Sequence, residues 1–147
     1  QEVIIQNFRA KPATPMAGAP DASTLDLLWT VAVSRVILGP DMNVQVPPNL
    51  SAQDYQIYLD AGINDWGGVS PLTIDFVNPE APWPGLADLR DRSLDMGFEL
   101  RPRLPVYPEY FVGTDRYLSA TLKTKVTELA NAEGYVEGGI QRYDGTN

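Results

Sequence analysis

Residues 59–68 read Leu59-Asp60-Ala61-Gly62-Ile63-Asn64-Asp65-Trp66-Gly67-Gly68, and this stretch decides the fold. A helix-like run ends at Gly62, a residue suited to closing a helix in a left-handed conformation. A strand-like segment, Ile63 to Trp66, follows at once and stops at Gly67-Gly68. A long loop rich in Pro and Trp then leads to about Gly85. The passage from helix to strand is tight, and the passage from strand to helix is long.

The same asymmetry recurs on either side. Upstream, Val3 to Phe8 reads as a first strand and Asn43 to Val46 as a second, closed by Pro47-Pro48. Between them Ser23 and Asp26 resemble a capping box. Leu25, Leu28, Trp29, Ala32, Val33, Val36 and Ile37 then recur at helical spacing, and Gly39-Pro40 stops the run. Ser51 is expected to cap a second helix carrying Tyr55, Tyr58 and Leu59. Downstream, Leu86, Leu89, Ser93 and Met96 share a helix face that ends at Gly97. A fourth strand is expected within Phe98 to Val106, bent at Pro102 and Pro105. A last helix carries Leu122, Val126, Leu129 and Ala130 and ends at Gly134.

Alternating strands and helices predict an α/β fold with parallel strands and right-handed crossovers. Such sheets place ligands at the C-terminal ends of their strands, where the long loops lie. Gln6-Asn7, Asn43 to Asn49, Asn64 to Gly68 and Arg103 to Glu109 are therefore expected on one rim. A complete (βα)8 barrel takes roughly 250 residues, so four units amount to half of one. A small doubly wound domain is the competing architecture. Residues 1–134 are expected to form the folded unit, and residues 135–147 a polar tail or linker.

Composition narrows the chemistry. The 147 residues carry a formal net charge of -8, with 11 basic against 19 acidic side chains. Binding to nucleic acid needs clustered Lys and Arg, so no nucleic-acid partner is expected. No apolar run approaches the roughly 18 residues of a membrane span, and no signal peptide is visible. A cytoplasmic protein that contacts no membrane is expected. The chain opens at Gln1 inside a strand-like run, which reads as truncation. It has no Cys and no His. That excludes Ser-His-Asp and Cys-His catalysis and any thiolate or imidazole metal site within it.

The rim residues suit a small molecule. Gln6 and Asn7 offer amide donors and acceptors, and Arg9 and Lys11 suit a carboxylate or a developing negative charge. Asn43 and Gln45 share a strand face by the two-residue period, and Asn49 continues the amide theme. In Asn64-Asp65-Trp66-Gly67-Gly68, Asp65 can accept from a ligand, Trp66 can stack on a ring and the glycines allow close backbone approach. Each also has a structural reading: loop-satisfying hydrogen bonds, a tight turn, or Trp66 as core. The stiff loop Asn78 to Pro84 reads as a wall or lid, or equally as a structural plug over the rim, and Glu109 as an acid–base candidate. No catalytic residue and no metal ligand is singled out.

Several of these runs resemble the radical S-adenosylmethionine (SAM) FO synthases, which make the deazaflavin FO. The likeness lies in Gln1 to Pro12, Pro15-Met16, Met42 to Gln45 with Pro47 to Leu50, and Ala61 to Pro71. Val77 to Pro84 and Arg103 to Tyr110 complete it. It covers residues 1–134 and points to the C-terminal half of the ring-closing subunit or domain. The resemblance implies a TIM-type barrel lyase with a 4Fe-4S cluster and SAM. The enzyme would close the ring of a tyrosine-derived hydroxybenzyl ribitylamino-uracil adduct and release ammonia. It further implies three partners: the substrate, a missing N-terminal half-barrel, and a partner FO synthase subunit or fused domain. Without Cys the cluster ligands are absent, so the chain alone is expected to be inactive. A non-catalytic small-molecule binding module and a related radical SAM enzyme of menaquinone synthesis are the alternatives.

Overall fold

The computed structural model of the chain describes residues 1–70 and 72–136. Three parallel strands form one sheet in the order β1 (Glu2–Ile4), β2 (Asn43–Val46) and β3 (Asp65–Trp66). Glu2 registers with Asn43, Ile4 with Gln45, and Gln45 in turn with Asp65. The ladder continues past the strand ends. Ile5 N–H donates to the Gln45 carbonyl at 2.9 Å, and Gly67 N–H to that of Val46 at 3.2 Å. Parallel neighbours need a crossover, and helices α1 (Thr24–Leu38) and α2 (Ile57–Ala61) provide the two. Helix α3 (Leu86–Asp95) follows β3, and α4 (Ala120–Leu129) comes last.

Strand alternation sorts the side chains onto two faces. Ile5, Val44, Val46 and Trp66 form one, buried against Leu27 and Val31 of α1, Tyr58 and Leu59 of α2, Tyr55 and Leu89. Removing one such side chain from water contributes about 1.5–3 kcal/mol, so this layer holds helices and sheet together. Glu2, Asn43, Gln45 and Asp65 lie on the other face with exposed Ile4, and it is mostly polar.

Local signals place the helices. Ser23 Oγ accepts from Asp26 N–H at 3.1 Å, and the Asp26 carboxylate accepts from Ser23 N–H at 3.2 Å, completing the capping box. Helix α2 ends at Gly62, whose φ is 111°. A Cβ there would also lie 2.8 Å from Arg35 Cγ, so glycine is required twice over. Arg35 occupies that space to donate to the carbonyls of Gly62 (2.7 Å) and Met42 (2.6 Å), tying α1 to the sheet.

Several expectations need correction. Among the described residues the sheet has three strands, not four. Phe98 to Val106 stays outside it, because Pro102 and Pro105 have no N–H to give a ladder. Arg103 instead makes one antiparallel bridge to Tyr135, and Val136 N–H donates to the Pro102 carbonyl at 2.8 Å. Strand β1 is shorter than expected. Ser51 caps no helix: it lies in a 3-10 turn, Pro48–Ser51, and α2 begins later. In α1 the buried residues are Leu27 and Val31, while Leu25, Trp29, Val36 and Ile37 of the expected core face are exposed. Helix α4 buries no residue and ends at Leu129. Residues 137–147, most of the expected tail, lie outside the described residues. No helix among the described residues is long and apolar enough to cross a membrane.

Candidate functional site

The polar face of the sheet is the first part of the site. Gln45 and Asp65 stand side by side in register. Gln45 Nε2 donates to Glu2 Oε2 at 2.5 Å and approaches the Tyr107 hydroxyl at 3.5 Å. Tyr107 donates its hydroxyl to Asp65 Oδ2 at 2.5 Å. Arg103 Nε donates to the same oxygen at 2.9 Å, and Arg103 Nη2 also contacts it. The guanidinium carbon lies 3.7 Å from the centre of the Tyr107 ring, a cation–π contact. Burial, followed by the hydrogen bond to Asp65, pushes the Tyr107 hydroxyl well above the ordinary phenol range. Burial alone would lower the Arg103 pKa, but Asp65 outweighs it and the guanidinium stays charged. The result is a connected neutral-and-ionic network in which Tyr107 is a fixed donor and Gln45 a fixed amide.

Gly67 follows β3 and lets Gln45 lie flat across the backbone. A Cβ on Gly67 would sit 2.2 Å from Gln45 Oε1. Gly68, at φ 72°, does the same for Trp83, whose ring edge would lie 3.2 Å from a Cβ. Both glycines therefore permit close approach, of side chains of this chain rather than of a phosphate.

The second part is the rim at the C-terminal ends of β1 and β2. Asn7 Nδ2 donates to Ser51 Oγ at 3.1 Å, and Ser51 is hydrogen-bonded to the Tyr58 hydroxyl at 2.8 Å. Asn49 Nδ2 donates to Asp75 Oδ2 at 2.9 Å and to the Ala81 carbonyl at 3.1 Å. Arg9 is engaged by Asp21 at 3.1 Å and by the Leu50 carbonyl at 2.6 Å. Lys11 pairs with Glu80 at 2.5 Å. Three buried polar atoms of this rim have no hydrogen-bond partner among the described residues: Asn7 Oδ1, Asn49 Oδ1 and Trp83 Nε1.

Asp75 organises the loop facing Asn49. Burial would raise its pKa, but hydrogen bonds from the backbone and side chain of Asn78, from Asn49 and from Val77 N–H hold it down at about 2. It is a permanent carboxylate at neutral pH.

The expected site residues thus divide. Gln45 and Asp65 come together, with Gly67 beneath Gln45. Asn7, Arg9, Lys11 and Asn49 share the rim, with Gly68 under Trp83. Gln6 is exposed. Asn43 and Asn64 lie at the N-terminal ends of their strands rather than on the rim. Asn64 Nδ2 donates to Asn43 Oδ1 at 2.9 Å, while Asn64 Oδ1 accepts from Val44 N–H at 2.8 Å. Glu109 is drawn to that same end by Asn43 Nδ2, at 2.5 Å. Trp66 points to the opposite face, edge-on to Tyr55 at 5.4 Å, with its indole N–H donated to Ser93 Oγ at 3.2 Å. It is a core residue. Glu2, Ser51 and Asp75 escaped the reading of site residues, while Trp83 lies in the loop read as a wall or a plug. Glu2 alone left a trace, sharing the two-residue period with Gln6 along the first strand.

No family model and no solved structure matches the chain. Curated relatives do. The 7,8-didemethyl-8-hydroxy-5-deazariboflavin synthase of Methanopyrus kandleri is 53% identical over 135 residues, covering 92% of this chain and 40% of its own length. An FO synthase of Streptomyces avermitilis is 52% identical over 145 residues, 94% of this chain and 17% of the relative. An FO synthase of Mycobacterium tuberculosis is 47% identical over 132 residues, 89% of this chain and 15% of the relative. The chain spans two fifths or less of the length of these relatives. About half identity along nine-tenths of the chain makes it a homologue of one segment of the FO, or deazariboflavin, synthases.

Proposed function

We propose that this chain is the C-terminal half of the ring-closing domain or subunit of an FO synthase, and that the polar face of β1, β2 and β3 forms part of its active-site wall. The carrying observation is the register pair Gln45 and Asp65, joined to Glu2, Arg103 and Tyr107 on the one sheet face that is not packed against helices. In this reading the whole enzyme is a (βα)8 radical SAM lyase. It closes the deazaflavin ring of a hydroxybenzyl ribitylamino-uracil adduct and releases ammonia.

The residues present do not fit the iron–sulfur group. The chain has no Cys. Among the described residues no three His, Cys, Asp or Glu side chains stand together as a metal site. Cluster and SAM chemistry therefore belong to the rest of the longer enzyme. The residues of this chain bind, orient and shield. Gln45 and Tyr107 offer neutral hydrogen-bonding groups beside the reacting molecule, and the Arg103–Asp65 pair fixes them.

The exposed apolar residues Leu25, Trp29, Val36 and Ile37 of α1, together with the unpaired edge of β1, suit the preceding half-barrel as a partner. A partner FO synthase subunit or fused domain supplies the adduct. The test is anaerobic reconstitution of the full-length protein with SAM and that partner. FO fluorescence is expected from the full-length protein and none from residues 1–147 alone. No FO from the full-length protein, or FO from the isolated chain, overturns the reading.

A further inference from the structure

The loop after β3 presents four large apolar side chains to water within residues 72–77. Leu72 is 79% exposed, Ile74 58%, Phe76 81% and Val77 69%. Single exposed apolar residues are ordinary, but a cluster of them marks an interaction surface.

The loop is held in shape by its own hydrogen bonds. At its start, Thr73 N–H and Oγ1 donate to Ser70 Oγ at 3.1 and 2.8 Å. At its end, the Asp75 carboxylate accepts from Val77 N–H at 2.8 Å and from Asn78 N–H at 3.0 Å. Asn49 Nδ2 donates to the same carboxylate at 2.9 Å. Asp75 is the only charged residue in this stretch, and the chain itself engages it. A partner seated here therefore strips water from no free charge. A preorganised loop also loses little freedom on docking.

Its place points away from the preceding half-barrel as the cover. A parallel sheet is extended at its edges, here the unpaired sides of β1 and β3. Asn49 follows β2, the middle strand, so its bond to Asp75 sets the loop at the end of the sheet's centre. What covers the loop approaches along the strands, toward the rim. The relatives supply a candidate. Matches of similar length cover 40% of the Methanopyrus kandleri protein and 17% of the Streptomyces avermitilis one, so the second is more than twice as long. The same segment thus works with a large additional module in one chain.

We infer that Leu72, Ile74, Phe76 and Val77 are the docking surface for that additional module, fused or separate, which seats on the rim through an apolar contact. Leu72 also shares a mostly apolar cleft of about 770 Å³ with Val69, Leu86, Leu89 and Leu100, which can receive a protruding side chain of the module. This inference rests on the function proposed above, in which that module supplies the adduct.

The test uses the full-length protein together with the module. Phe76 is replaced by the photo-crosslinker p-benzoylphenylalanine, the sample is irradiated, and the joined peptides are mapped by mass spectrometry. Crosslinks to the module are expected. Adding Ile74→Glu sets a charge against the apolar contact and should cut their yield at least about fivefold. FO formation from added hydroxybenzyl ribitylamino-uracil adduct should stay within about twofold of wild type in both variants, because the loop's apolar side chains face away from the polar sheet wall. If the wild type makes no FO from added adduct, the proposed function fails and this inference with it. If it makes FO but the crosslinks fall only on the preceding half-barrel, do not form, or are indifferent to Ile74→Glu, this inference alone is overturned.

Discussion

Arg103 and Asp65 meet on the polar face of the sheet through a single carboxylate oxygen. Arg103 Nε donates to Asp65 Oδ2 at 2.9 Å, and the hydroxyl of Tyr107, on which Arg103 stacks, donates to that same atom at 2.5 Å. One oxygen thus ties the loop after α3 to the end of the sheet, in place of the ladder that Pro102 and Pro105 prevent. Arg103→Lys keeps the charge but loses the planar stack and the second donor. It is expected to destabilise the full-length protein by about 1–3 kcal/mol, measured as a shift in urea midpoint at unchanged slope. A midpoint equal to wild type would show that the pair is dispensable.

Alkaline stability follows from two phenols. Burial first, then a carboxylate partner, raises the pKa of both Tyr107 (beside Asp65) and Tyr55 (beside Asp88). Tyr55 donates its hydroxyl to Asp88 at 2.6 Å. A raised folded pKa contributes stability that is complete below the unfolded phenol value, about 10, and is lost as pH climbs above it. Stability should therefore fall steeply above that value, and Tyr107→Phe should flatten the fall. The slope of the urea midpoint against pH checks it.

The acid limb depends on Asp75. Its folded pKa, about 2, lies below the unfolded carboxylate value, about 3.9. Its contribution is complete above the unfolded value and is lost as pH falls toward the folded one. Asp75→Asn should lower stability near neutral pH and make it less sensitive between those two values. Unchanged acid sensitivity would remove Asp75 as the loop's organiser.

Gly67 is not among the positive-φ glycines, so its backbone accepts alanine, and the objection is steric. The new Cβ would meet Gln45 Oε1 at 2.2 Å. Gly67→Ala should swing the Gln45 amide away from Glu2 and cut FO formation by the full-length enzyme on the order of tenfold to a hundredfold. Combined with Gln45→Ala it should add nothing further. Additive losses would mean that Gly67 acts through something other than Gln45.

The elements with local chemistry were legible in the sequence. The Ser23–Asp26 box, the stop at Gly62 and the Leu89–Ser93 face all depend on neighbours a few residues away. The facing of α1 was not legible. Its sequence is apolar on more than one stripe, and periodicity finds the Leu25–Trp29–Val36 stripe without knowing that Leu27 and Val31 share a core with Ile5 and Val44. The fourth strand failed because strand propensity cannot outweigh two missing N–H groups at Pro102 and Pro105 in so short a run. Gln45 and Asp65 were found because the two-residue period and the βα order carry across strands. Asp75 was missed, and Trp83 was seen only as part of a stiff loop, because their partners, Asn49 and Gly68, are fixed only by how the loop folds back.

The most direct measurement is the rate of FO formation by full-length enzyme carrying Gln45→Met, a change of similar volume that removes the amide from the Glu2–Tyr107 network. If the polar face of the sheet lines the reaction site, fluorescence should appear at least about tenfold more slowly in a protein that still folds. A wild-type rate from that variant would place the chemistry elsewhere.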